Sequence, residues 1–185
     1  TALAIDAAGN VLVAGDVQSN DFPGTSGGAQ PVYGGGGDMV IARLEPGLTS
    51  LTQATFLGGP SLESAVAMVV APSGDVLVGG DASGTFPGTA GGAQASPAGN
   101  GDMVVARLNP TLTSLGQATF LGGTALDTLS DLALDASGDV LVGGATQSTA
   151  FPRTAGGLQP TALGNRDGVI ARLTGGLTSL VQSTY

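Results

Sequence analysis

The chain contains no cysteine, histidine, lysine or tryptophan, and aromatic residues make up only 4% of its 185 positions. Without cysteine there is no disulfide framework, no thiol nucleophile and no zinc–thiolate site. Without histidine, cysteine or lysine, a Ser-His-Asp triad, a Cys-His pair, a Schiff base and a P-loop lysine cannot be assembled within the chain. Charge is scarce at 10%, and it is lopsided: 14 acids face five basic residues, for a net charge of −9. Nucleic-acid binding depends on clustered Lys and Arg that displace counterions, so nucleic acid is excluded as a partner, and anionic membranes are disfavoured on the same ground. An acidic surface suits cations or neutral partners. No apolar run approaches the roughly 18 to 20 residues of a membrane span, so no membrane insertion is expected. No charged-then-apolar leader is present, which places any secretion signal outside this sequence.

Glycine, proline and small apolar residues fill the space, with 33 Gly, 10 Pro and 42% hydrophobic residues. That mixture opposes helices and, with so little charge, opposes disorder. The chain also repeats itself. Gly9-Asn10-Val11-Leu12-Val13 returns as Gly74-Asp75-Val76-Leu77-Val78 and as Gly138-Asp139-Val140-Leu141-Val142. Phe22-Pro23 recurs at Phe86-Pro87 and Phe151-Pro152, and Ala42-Arg43-Leu44 at Ala106-Arg107-Leu108 and Ala171-Arg172-Leu173. A fixed period of about 64 to 65 residues marks one supersecondary unit, duplicated and stacked because a single unit cannot bury its own apolar faces.

Each unit carries four segments of strand length. In the first they are Ala2–Ile5, Val11–Gly15, Met39–Leu44 and Gln53–Leu57. Turns rich in Gly, Asp and Asn join the first pair, and the glycine suits the positive-φ position of a hairpin with a bulge. The expected fold is all-β: four-stranded antiparallel meanders over about 1–57, 66–121 and 130–185, forming the blades of a single β-propeller segment. Three blades are too few for an ordinary closed ring, where about four to eight are typical. Bare end faces of Val, Leu and Ala would then call for further blades of the same longer chain, or for a second copy completing a six-bladed ring. Starting without Met and ending inside a Thr-Phe-Leu-Gly-Gly motif, the sequence reads as an excerpt of a longer chain.

Four motifs recur in the same order: Asp-x-x-Gly-[Asn/Asp]-Val, Phe-Pro-x-Thr-x-Gly-Gly-[Ala/Leu]-Gln, Asp-[Met/Gly]-Val-[Ile/Val]-Ala-Arg-Leu and Thr-Phe-Leu-Gly-Gly. Together they resemble the SBBP (beta-propeller) repeat of bacterial secreted and cell-surface proteins, over essentially the whole chain. That family usually has Lys and aromatic residues where this chain has Arg43, Arg107, Arg172 and small residues. The resemblance implies an extracellular or cell-surface propeller and says little about a ligand.

Candidate chemistry is sparse. Paired carboxylates could in principle hydrolyse glycosides, given an acid and a base or nucleophile about 5 to 9.5 Å apart in unlike environments. The acids here recur once per repeat at equivalent places, which points to structure, so no catalytic residue is assigned. Asp38, Asp102 and Asp167 end glycine-rich loops; each could ligate calcium with backbone carbonyls, or cap its own loop by accepting amide hydrogens. Capping is the favoured reading and no cofactor is expected. Glu63 and Asp127 are the carboxylates that could partner the first two. Asp135-x-Ser137-x-Asp139 lacks the rest of a calcium loop and is read as a hairpin turn. Phe22, Phe86 and Phe151 could stack on a sugar, but a Phe before Pro more often plugs its loop into the sheet. Arg43, Arg107 and Arg172 are expected to make ion pairs at strand ends, with a ring of cations around an anion as the other option. The function expected is a non-enzymatic scaffold or protein-interaction platform; the alternative is a carbohydrate-binding module using the long-loop face, with glycans or surface proteins as partners.

Overall fold

The computed structural model describes residues 1–185. It is all-β, with twelve strands and no helix, hence none long and apolar enough to cross a membrane. The first sheet holds β1 (Ala2–Ile5), β2 (Val11–Val17), β3 (Asp38–Leu44) and β4 (Leu51–Leu57). The second holds β5 (Glu63–Val70), β6 (Val76–Ala82), β7 (Asp102–Leu108) and β8 (Leu115–Leu121). The third holds β9 (Asp127–Leu134), β10 (Val140–Thr146), β11 (Asp167–Leu173) and β12 (Leu180–Thr184). Every sheet is an antiparallel meander whose strand order is its chain order.

Turn chemistry sets the first hairpin of each sheet. Gly9, Gly74 and Gly138 take φ of 84°, 87° and 85°, a region that costs glycine nothing. Asp6 Oδ1 accepts the Ala8 and Asn10 amides, both at 2.9 Å, and Asp135 does the same for Ser137 and Asp139. The Asp135-x-Ser137-x-Asp139 run is therefore a self-bonded turn. The long linker between second and third strands is clamped along the fourth: Gln53 Nε2 donates to the Gly24 and Ser26 carbonyls, and Thr55 Oγ1 accepts the Gln30 amide at 2.8 Å. Gln117 with Thr119, and Gln182 with Thr184, repeat this in the other two sheets.

β5 and β9 begin at Glu63 and Asp127, ahead of the 66 and 130 at which the alternation in sequence places those sheets. The reason is a bulge. The β5–β6 register shifts between Ala65 and Ala67, and in β9 Leu129 and Asp131 face adjacent residues of β10. One extra residue in each strand breaks the period-2 pattern while the ladder continues.

The sheets stack face to face. One buried core joins the first sheet to the second (Leu12, Met39 and Ile41 against Met68, Val76 and Val104); another joins the second to the third (Leu77, Met103 and Val105 against Leu132, Val140 and Val169). The second sheet is thus covered on both faces, which accounts for the apolar runs Val76–Val78 in β6 and Met103–Ala106 in β7.

Candidate functional site

The two inter-sheet junctions are built from the same kinds of contact at equivalent repeat positions. A methionine on one sheet covers a glycine on the next: a side chain on Gly80 would meet Met39 Cε at 3.0 Å, and one on Gly144 would meet Met103 Cε at 2.5 Å. An aspartate bonds across the gap, with Asp16 Oδ1 accepting the Ala65 amide at 2.6 Å and Asp81 Oδ1 the Leu129 amide at 2.7 Å. Burial raises the Asp81 carboxyl above the usual range, opposed by that amide. Linkers cross as well, Ala29 N–H donating to the Leu112 carbonyl and Ala93 N–H to that of Leu177, both at 2.9 Å. Replacing Asp81 with alanine strands the Leu129 N–H and is expected to cost about 1–3 kcal/mol in urea denaturation.

The arginines work at the turn edge of the stack. Arg43 pairs with Asp6 and also donates to the Pro110 carbonyl of the next sheet. Arg107 pairs with Asp75 at 2.7 Å and reaches the Gly175 carbonyl, and Arg172 pairs with Asp135. Each has a carboxylate partner in its own sheet, as an ion pair at a strand end requires.

At the opposite edge, where the long linkers lie, each junction buries two carboxylates. Asp38 accepts the Gly34 amide at 2.9 Å, the Gly35 amide at 3.3 Å and Gln30 Nε2 at 3.1 Å. Asp102 accepts the Ala98 amide at 2.7 Å and Gln94 Nε2 at 2.9 Å, both on Oδ2. Asp167 accepts the Leu163 and Gly164 amides at 3.3 and 3.2 Å. These bonds are the loop caps expected of the three acids. The sequence alone does not show how tightly the first two are paired. Glu63 and Asp127 open the next sheet and converge on the same points: a Cβ on Gly58 would lie 2.8 Å from Asp38 Cγ and against Glu63 Oε2, and one on Gly122 would lie 2.7 Å from Asp102 Cγ and 2.8 Å from Asp127 Oδ2. All four acids are fully buried. Burial raises the Asp38 and Asp102 carboxyls, and the Asp127 charge adds to the effect on Asp102. Burial also pushes Glu63 up to about 7, with the Gly59 amide opposing and the Asp38 charge reinforcing the shift. Nowhere do three or more such side chains gather.

Phe86 and Phe151 are buried in the two cores, where Phe151 meets Tyr185 edge to face at 6.5 Å. Neither ring is open to a sugar. Phe22 holds the same position in the first sheet, where no preceding sheet covers it, and is half-buried. Surface depressions occur beside Arg43 and Pro110 and on the free face of β10 and β11.

The two end faces differ. The free face of the first sheet keeps the receiving half of a junction: Leu3 and Leu48 are 69% and 60% exposed, while Met68 and Leu132 at the position of Leu3, and Leu112 and Leu177 at that of Leu48, are buried. The free face of the third sheet has lost the other half. Ala145 stands where Asp16 and Asp81 bond across, and Gly168 where Met39 and Met103 project. No protein-family model matches the chain, and no curated protein matches it.

Proposed function

We propose that the chain is a segment of a β-propeller that acts as a non-enzymatic scaffold and protein-interaction platform, its first sheet receiving a further blade of a longer chain. The observation that carries this is Leu48. Leu48, Leu112 and Leu177 all hold left-handed backbone, at φ of 58°, 60° and 59°. That conformation costs a non-glycine residue about 1–2 kcal/mol. At Leu112 and Leu177 the cost is offset by complete burial and by a carbonyl that accepts the preceding linker's amide. At Leu48 neither compensation operates, although the same strain is held. A retained strained residue in an otherwise matching junction is best explained by a blade that covers it.

Further support comes from meander sheets stacked through closely similar junctions, as blades are. A two-copy ring would set the third sheet's outer face on the first sheet's, without the bridging aspartate and the projecting methionine, so a longer chain is the better source of the missing blade. The extracellular, bacterial setting rests on the motifs' resemblance to the SBBP repeat. The carbohydrate-binding alternative draws no support from Phe86 or Phe151, both of which are buried.

Leu48→Gly and Leu112→Gly test this. Glycine relieves strain at both positions but sacrifices packing only where packing exists. Leu48→Gly is expected to leave the isolated chain as stable or about 1 kcal/mol more stable, while Leu112→Gly costs about 2–4 kcal/mol. In sedimentation the wild type is expected to self-associate through its bare apolar face, and Leu3→Asp combined with Leu48→Asp to make it monomeric. A wild type that stays monomeric at high concentration would refute the uncovered blade face.

A further inference from the structure

We propose that Asp102 and Asp127 form a binding site for a hard divalent cation, calcium by preference, set between the second and third sheets. Each acid uses one oxygen for structure and leaves the other free. Asp102 Oδ2 is taken by the Ala98 amide and the Gln94 side chain; Asp127 Oδ2 is taken by the Gly123 amide at 2.7 Å and Ser148 Oγ at 3.1 Å. Asp102 Oδ1 and Asp127 Oδ1 are buried without a hydrogen-bond partner of good geometry, the Gly99 amide giving Asp102 only a weak contact. Both carboxylates pack on Gly122, where any side chain would strike them.

Two buried carboxylates packed on one glycine, each with an oxygen short of donors, repel each other and lose hydration together. No arginine ion pair reaches them, since those of Arg43, Arg107 and Arg172 lie at the other edge of the stack. A cation resolves both deficits at once. Further oxygens stand nearby: the Gly123 and Ala125 carbonyls lie against Gly99 of the Asp102 loop, 2.7 and 2.6 Å from where its Cβ would stand. Carboxylate and carbonyl oxygens suit calcium, which tolerates irregular coordination and completes it with water. The Asp38–Glu63 junction is poorer, because Asp38 has both oxygens bonded and only Glu63 Oε1 is free. Asp167 has no second acid beside it. One site per chain is therefore expected.

The test is calorimetric titration of calcium chloride into the chelator-stripped 185-residue chain. One saturable site is expected, with a Kd of about 10⁻⁴–10⁻³ M, the range of weakly charged calcium modules. Asp127→Asn and Asp102→Asn should each weaken it at least about tenfold, since each removes a ligand charge. Asp167→Asn, which alters a lone loop cap, should leave it unchanged. In thermal melts, about 5 mM calcium should raise the wild-type midpoint by several degrees over chelator and leave Asp127→Asn unmoved. Circular dichroism checks that each variant folds; should Asp127→Asn fail, Asp102→Asn and the wild-type titration still decide. Absence of saturable binding, or binding untouched by both variants, overturns the proposal. So does a wild-type melt that ignores calcium.

Discussion

Gly80→Val is expected to cost about 3 kcal/mol or more, whereas Gly15→Val, at the same repeat position, costs less than about 1 kcal/mol. Both glycines lie in the second strand of their sheet, and propensity alone would make the two changes alike. Packing separates them. A side chain on Gly80 would run into the Ser64 carbonyl across the β5 bulge and meet Met39 Cε at 3.0 Å; on Gly15 it would find only Thr1 Oγ1, at 3.8 Å. The first obstacle is backbone, which cannot rotate away, and the second is a methionine locked in a close-packed core. Urea denaturation of the two variants measures the difference. Equal losses would mean that the first sheet's face is covered in this chain or that the junction does not pack as described. Met39→Ala in the Gly80→Val background relieves only the second obstacle, so partial recovery is expected.

Much of this architecture was legible in the sequence because the period placed identical chemistry at identical positions. Gly9, Gly74 and Gly138 mark hairpin turns wherever they stand, and the structure puts all three at positive φ. Phe86 and Phe151 packed as a Phe before Pro tends to, and the arginines found their aspartates. What escaped depends on partners remote in sequence. The extra residue in β5 shifts the alternation, so the strand's start at Glu63 looks like linker. Leu48, Leu112 and Leu177 sit where a turn normally asks for glycine, and no local rule chooses leucine there; only the preceding sheet's linker does. Gln53, Gln117 and Gln182 read as ordinary exposed strand residues, yet each holds a linker in place through carbonyls brought near by the fold. The carboxylate pairs were visible as candidates but not as neighbours, since Asp38 and Glu63 meet only when one sheet is laid on the next. A repeat period fixes what each unit does alone, and the junctions belong to two units at once.

The same junctions set the pH dependence. Glu63 has an ordinary value of 4.5 in an unfolded chain and about 7 in the folded one, chiefly through burial, with the Gly59 amide opposing and Asp38 reinforcing. The folded state therefore holds the proton more tightly between those limits. Stability is greatest at the lower end of that window, is lost as pH rises from about 4.5 through about 7, and levels off above. Asp38, the one titratable group beside Glu63, is also raised by burial and acts in the same direction. Asp6 and Asp135 act oppositely but elsewhere on the scale. Both are lowered below 3.8: in Asp6 burial is outweighed by bonds from Asn10 and Ala8 and by Arg43, and in Asp135 the Ser137 hydroxyl leads. Their stabilisation is present above the unfolded value and is lost only as pH falls through the folded one. A maximum near pH 5 is expected, followed by a decline on the order of 2 kcal/mol toward pH 8, measured by urea denaturation in chelator. Glu63→Gln replaces the titrating group with an amide that can donate to Asp38, so it should flatten much of the decline and match the wild type at pH 5. A wild type whose stability climbs between pH 5 and 8, or a Glu63→Gln variant with the wild-type slope, would show that this carboxyl is ionised in the fold.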